Sequence, residues 1–188
     1  MIKTLKNETE TTEIGAKVAS CLQGGEVIYL KGELGTGKTT LARILSREFS
    51  ADYFELSAIS SGVKKVREII EKGKAALRIG KRSILFIDEI HRFSKSQQDS
   101  LLAAVEKGWV TLIGATTENP SFEVIPALLS RCQVYVLNPF SADDLRALLK
   151  RAMTQDSILS KKEIELQETE ALLRISGGDA RKLLNIFE

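Results

Sequence analysis

The spacing of apolar and polar positions divides the chain into two parts. Up to about residue 137, short runs rich in β-branched and aromatic residues recur near 26–30, 52–57, 83–88, 109–115 and 132–137. Between them, near 39–49, 63–79 and 94–107, the apolar residues take helical spacing. Strands alternating with helices predict a parallel sheet covered by helices. The run Ser83-Ile-Leu-Phe-Ile-Asp88 is almost continuously apolar, as a strand buried on both faces must be. It is expected at the centre of the sheet, with its C-terminal end opening on a ligand crevice. After Asn138-Pro139 the strand pattern stops, and Ser141-Ala-Asp-Asp144 carries the cap and first-turn carboxylates of a helix start. From there to Glu188 the chain reads helical. The expected organisation is an α/β domain with five parallel strands over residues 1–139, followed by a small, partial all-helical subdomain over 140–188.

The strand-to-helix junction after Val27-Ile28-Tyr29-Leu30 changes this from a fold to a chemistry. Residues 32 to 39 read Gly-Glu-Leu-Gly-Thr-Gly-Lys-Thr, a complete G-x-x-x-x-G-K-[ST] phosphate loop. Glycine at 32, 35 and 37 lets the backbone take conformations closed to larger side chains, so that successive N–H groups can close around phosphate oxygens. Lys38 is expected to reach the β and γ phosphates, and the Thr39 hydroxyl to hold Mg²⁺. Gly32, Glu33, Leu34, Gly35, Thr36, Gly37, Lys38 and Thr39, with Thr40 beside them, are the candidate contacts to ATP. A second motif follows some fifty residues later, where the apolar run Ile84-Leu-Phe-Ile ends in Asp88-Glu89. Asp88 is placed to share the Mg²⁺ with Thr39, and Glu89 to polarise a water for attack on the γ phosphate.

Composition narrows the class without choosing a substrate. With 188 residues, 43% hydrophobic and 28% charged, the chain can bury one sizeable core. The 27 basic and 25 acidic residues nearly cancel, so net charge argues neither for nor against nucleic acid. Cys21 and Cys132 stand far apart without metal-ligand spacing, which predicts reduced thiols rather than a disulfide or zinc site. No apolar run approaches the ~20 residues of a membrane span, and the first residues lack a signal peptide's apolar stretch. A cytoplasmic protein with no membrane partner is expected. Eight basic residues lie between Lys64 and Arg82 against Glu68 and Glu71, on a helix whose Val66, Ile69, Ile70 and Leu77 mark the buried stripe. The positive face could meet a DNA backbone or be a solvated helix surface. No interleaved aromatics suggest stacking on bases.

Several long segments carry a family resemblance. They are Leu56-Ser-Ala-Ile-Ser-Ser-Gly-Val-Lys, Phe86-Ile-Asp-Glu-Ile-His-Arg-Phe-Ser-Lys-Ser-Gln-Gln-Asp, Thr111-Leu-Ile-Gly-Ala-Thr-Thr-Glu-Asn-Pro-Ser-Phe-Glu-Val, Leu128-Leu-Ser-Arg-Cys and Ser176-Gly-Gly-Asp-Ala-Arg-Lys-Leu-Leu-Asn. Through them, residues 55–188 resemble the AAA+ core of the replication-associated recombination protein A family, related to the Werner-helicase-interacting ATPases. The resemblance implies a P-loop NTPase of AAA+ type, a clamp-loader-like ATPase that forms rings and acts on DNA at stalled forks or gaps. It makes Thr116 the sensor of the γ phosphate, ahead of Thr117 and Asn119. It makes Arg131 an arginine finger for a neighbouring subunit and Arg181 a second sensor in the helical subdomain. His91, the sole histidine, receives no catalytic role.

Residues 1 to about 47 do not look like that family. Glu8-Thr-Glu-Thr-Thr-Glu-Ile-Gly-Ala-Lys-Val-Ala and Gly24-Gly-Glu-Val-Ile-Tyr-Leu-Lys-Gly-Glu-Leu-Gly-Thr-Gly-Lys-Thr-Thr are similar to TsaE, the ATPase of the bacterial tRNA threonylcarbamoyladenosine pathway. The chain therefore reads as a hybrid of two phosphate-loop families, joined in the first helix after the loop. Thr9, Glu10, Thr11 and Thr12 are expected to cap a helix beginning near Ile14, or else to contact the base. Only part of the helical subdomain is expected, without the family's C-terminal assembly region, so that homo-oligomers would be weak or incomplete. Two functions follow: a DNA-remodelling ATPase, or a nucleotide-binding module with feeble hydrolysis, working in tRNA modification or without an evolved role.

Overall fold

The computed structural model describes residues 2–5, 24–166 and 168–187. The helix expected from Ile14, with Thr9, Glu10, Thr11 and Thr12 before it, lies outside the described residues, as does Cys21. Six strands form one sheet: β1 (Ile2–Leu5), β2 (Val27–Lys31), β3 (Asp52–Ser57), β4 (Ser83–Asp88), β5 (Thr111–Thr116) and β6 (Cys132–Leu137). Their spatial order is β1-β6-β2-β5-β4-β3, and every pairing is parallel. The five expected strands are all present. The sixth, β1, was not foreseen, because four residues outside any alternating pattern give too little signal; it pairs Ile2 with Val134 at the sheet edge.

The middle of the sheet is β2 and β5 rather than β4. Strand β4 is interior, but it sits between β5 and the edge strand β3. Its apolar run is buried because helices cover both faces there, not because the strand is central. Val27, Ile28, Tyr29 and Leu30 of β2 are wholly buried, and alternate residues serve opposite layers. Val27 and Tyr29 pack with Leu85, Ile87 and Leu112 against helices α2 (Val63–Arg78) and α3 (Lys95–Glu106). Ile28 and Leu30 pack with Phe86 and Ile113 against Leu41, Ala42 and Leu45 of α1 (Lys38–Glu48).

On α2 the buried stripe is Val66, Ile69, Ile70, Gly73 and Ala76, whereas Leu77 is 43% exposed. Positions 76 and 77 both continue the helical spacing. Ala76 takes the inner place because Gly73 lets the helix approach the Trp109–Val110 backbone: a Cβ there would stand 2.6 Å from the Trp109 carbonyl oxygen.

After β5 come two single-turn helices, α4 (Pro120–Glu123) and α5 (Pro126–Leu129), and after β6 the helices α6 (Ala142–Gln155), α7 (Glu170–Ser176) and α8 (Ala180–Phe187). Ser141 and Asp144 close a reciprocal capping box on α6, as their spacing predicted. The region is not helical throughout. The Asp156 carboxylate accepts the N–H groups of Ile158 and Leu159 at 2.9 and 3.0 Å, ending α6, and residues 156–166 contain only a 3-10 turn, Leu159–Lys161. Leu145, Leu149, Leu173 and Leu183 form an apolar cluster of their own.

Candidate nucleotide site

The loop leaves the end of β2 and is tied at once to its neighbour: Gly32 donates its N–H to the carbonyl of Thr116, the last residue of β5, at 3.1 Å. It also passes flush against β6, since a Cβ on Gly32 would stand 2.6 Å from the Leu137 carbonyl. Gly35 and Gly37 have φ of +74° and +85°, values L side chains rarely adopt. Gly37 then caps α1, which begins at Lys38 with no acidic residue in its first turn. The loop runs directly into the positive end of the helix, an arrangement that favours an anion.

Lys38 is 7% exposed. Its ammonium donates to the carbonyls of Gly32 and of Glu33, the latter at 2.8 Å. Desolvation holds its pKa below the usual lysine value, against the pull of Glu89, Asp88 and Glu33 and with some help from Arg181. These groups thus share one electrostatic neighbourhood. The Thr36 hydroxyl donates to the Glu33 carbonyl at 2.9 Å and braces the loop from within. Thr39 is half-buried, while Glu33, Leu34 and Thr40 are exposed.

Across the crevice, β4 ends at Asp88, opposite Ser57 of β3. Glu89 takes φ +55°, a left-handed conformation that costs a non-glycine residue about 1–2 kcal/mol. That turn lifts the chain out of the sheet into a 3-10 turn, Ile90–Arg92. His91 returns over it. Its Nδ1 lies 3.3 Å from Glu89 Oε2 and 2.9 Å from Thr116 Oγ1. Thr116 is 1% exposed and accepts the Glu118 N–H at 3.0 Å. Of the alternatives to Thr116, Asn119 is engaged in capping α4 through the Ser121 N–H. The expected base and the expected sensor therefore meet on the one imidazole to which sequence reasoning gave no part.

Two arginines take different places. Arg181 lies in the first turn of α8, near enough to Lys38 to help lower its pKa. Arg131 precedes Cys132, which pairs with Val27 at the opposite end of β2 from the loop. Four residue steps separate those ends, about 13 Å at ~3.3 Å per step. The Arg131 side chain is 46% exposed, pairs with Glu106 at 2.9 Å and donates to the Ala127 carbonyl at 2.9 Å. It is not part of its own chain's phosphate site.

A further contact was missed. Asp179 lays its carboxylate on the loop: a Cβ on Gly35 would stand 1.8 Å from Asp179 Oδ1. The same oxygen accepts the Lys182 N–H at 3.0 Å and so caps α8. Beside it, Phe140 donates its N–H to the Gly178 carbonyl at 3.1 Å, with its ring about 4.0 Å from a Cβ placed on Gly37. The helical region is seated directly on the phosphate loop. On α2, part of the basic face is already engaged with aromatic rings: Lys74 lies 5.0 Å from the Trp109 centroid and Lys72 5.9 Å from that of Phe54.

Known proteins resemble this chain in sequence and in fold. The family model for the "ATPase family associated with various cellular activities (AAA)" matches residues 28–140. Replication-associated recombination protein A of Escherichia coli K12 is 43% identical over 184 residues, covering 93% of this chain and 40% of the relative. The ATPase WRNIP1 of Dictyostelium discoideum is 45% identical over 161 residues, 85% of this chain and 18% of its own length. Among solved structures, the Thermotoga maritima RuvB Holliday junction branch migration motor superposes with a TM-score of 0.73 at 26% identity, covering 97% of this chain and 63% of that one. The chain spans about 40% of the length of the bacterial relative. At 93% coverage that match takes in the phosphate loop and most of residues 1–47 as well as most of residues 55–188. With the strand order, the loop and the family match in agreement, the chain belongs to the AAA family of ATPases.

Proposed function

We propose that this chain is the ATP-hydrolysing unit of a DNA-handling ATPase whose subunits complete one another's sites. The observation that carries the reading is the convergence of Lys38, Asp88, Glu89 and Thr116 at adjoining strand ends around a loop shaped for phosphate. The loop N–H groups and the α1 terminus bind the triphosphate, and the Lys38 ammonium exchanges its carbonyl partners for β and γ oxygens. Thr39 and Asp88 would hold Mg²⁺, which fits a donor set of hydroxyl and carboxylate oxygens and would supply charge neutralisation on the phosphates. Glu89 polarises a water and takes its proton as the water oxygen bonds to the γ phosphorus and the bond to the β–γ bridging oxygen breaks. Thr116 donates its hydroxyl proton to a γ-phosphate oxygen.

Arg131, remote from its own loop, serves a neighbour's nucleotide as the finger. Arg181 carries the nucleotide state into the helical lid. Residues 1–139 form the α/β unit and 140–188 the lid, a division supported by the separate Leu145–Leu183 cluster. The names of the relatives, a replication-associated recombination protein and a Holliday junction branch migration motor, support DNA as the partner. Contact would run through the DNA backbone along the exposed basic face of α2, in keeping with a cytoplasmic protein. The breadth of the match disfavours both a hybrid origin and a TsaE-like role in tRNA modification. The test is ATP turnover per subunit over a range of protein concentrations, with and without forked DNA. The reading expects turnover to rise with both; turnover flat and near zero while ATP still binds would leave a nucleotide-binding module.

A further inference from the structure

We infer that His91 is a positioning residue that fixes the Glu89 carboxylate and aims the Thr116 hydroxyl at the γ phosphate. The inference rests on the roles proposed above for Glu89 and Thr116. It starts from hydrogen-bond capacity. Glu89 Oε2 lies within ion-pair distance of His91 Nδ1, at 3.3 Å, and because a carboxylate oxygen only accepts, a proton on Nδ1 is what makes that approach favourable. That same N–H then faces Thr116 Oγ1 at 2.9 Å. A hydroxyl has two lone pairs and one proton. One lone pair of Thr116 takes the Glu118 N–H at 3.0 Å, and the His91 N–H takes the other. The hydroxyl proton is all Thr116 has left to offer, and a phosphate oxygen is the acceptor the site is built to receive.

The backbone explains why an imidazole is needed. Glu89 sits in a left-handed turn, with its side chain 16% and that of His91 9% exposed. No hydrogen bond joins Glu89 directly to Thr116 among the described residues. The ring spans the gap between the β4 and β5 ends, so that a single N–H bonds the sensor and faces the base. His91 transfers no proton to substrate in this account.

The test has two arms. His91→Phe keeps the ring and removes the donor, and should lower kcat about tenfold or more, the worth of a misplaced hydrogen bond, with KM for ATP changed less than about twofold. His91→Asn restores an amide donor near the Nδ1 position and should recover most of that loss. Equal kcat for His91→Phe and the wild type, or no recovery in His91→Asn, would overturn the inference. Because the chain holds one histidine, ¹⁵N NMR of the wild-type imidazole reads which ring nitrogen carries the proton without assignment. The expected signal is protonated Nδ1 and bare Nε2; the reverse would refute the inference even if His91→Phe fails to fold. Glu89→Gln, run alongside, separates the two levels. If it retains full turnover, the role of Glu89 fails; if it is inactive while His91→Phe is not, only the His91 inference fails.

Discussion

Replacing Gly35 with alanine attacks the seat of the lid on the phosphate loop, and its cost can be worked in two parts. The first is backbone strain: φ at Gly35 is +74°, and a Cβ in that region costs about 1–2 kcal/mol. The second is a collision, because the new Cβ would lie 1.8 Å from Asp179 Oδ1 and 2.3 Å from its Cγ. Asp179 must swing away and surrender the Lys182 N–H, a lost helix cap worth about 1 kcal/mol. Gly35→Ala should thus destabilise by roughly 2.5 kcal/mol. Asp179→Ala alone should cost about 1 kcal/mol. In the double variant the cap is lost only once, so the sum should fall short of additivity by about 1 kcal/mol. Urea unfolding of the four proteins, read as midpoint shifts at constant m, measures the cycle. A strictly additive double variant would mean that Asp179 does not rest on the loop, and the lid contact would have to be abandoned.

Three further outcomes are expected. Glu89→Gln should bind ATP as the wild type does and lose at least about a hundredfold in turnover; undiminished turnover would remove Glu89 as the base. Arg131→Ala should leave ATP affinity alone and reduce turnover about a thousandfold in assembled protein. Its stability should change by less than about 1 kcal/mol, since the Glu106 pair is half-exposed. Tyr29→Phe should stabilise by about 1 kcal/mol, raising Tm by about 2–4 °C. The Tyr29 hydroxyl is buried without a partner among the described residues, and burial drives its pKa well above the usual phenol value. A destabilised Phe variant, by thermal melt, would show that the hydroxyl has a partner after all.

What could be read from the sequence was what lies contiguous in it. The phosphate loop and Asp88-Glu89 each fit within eight residues that follow an apolar strand, so both motif and setting were visible together. Contacts made by sheet order were not. Thr116 reaches His91 across 25 residues because β5 lies between β2 and β4, and no local pattern encodes that adjacency. Asp179 against Gly35 depends likewise on how the lid folds back. Strand β1 was too short to declare itself, and the break after α6 hinged on one aspartate capping two backbone N–H groups. At α2, Gly73 decided between Ala76 and Leu77, a choice that periodicity leaves open.

The central claim, that each site is completed by a neighbour, is tested most directly by mixing two inactive variants. Glu89→Gln keeps Arg131, and Arg131→Ala keeps Glu89. Random assembly of equal amounts would pair an intact Glu89 site with an intact finger at about a quarter of interfaces. Turnover in the mixture should therefore recover to about a quarter of the wild-type rate, measured at the same total protein concentration and with the same forked DNA. A mixture no more active than its components, under conditions where the wild type turns over, would contradict the claim that Arg131 acts across the subunit boundary.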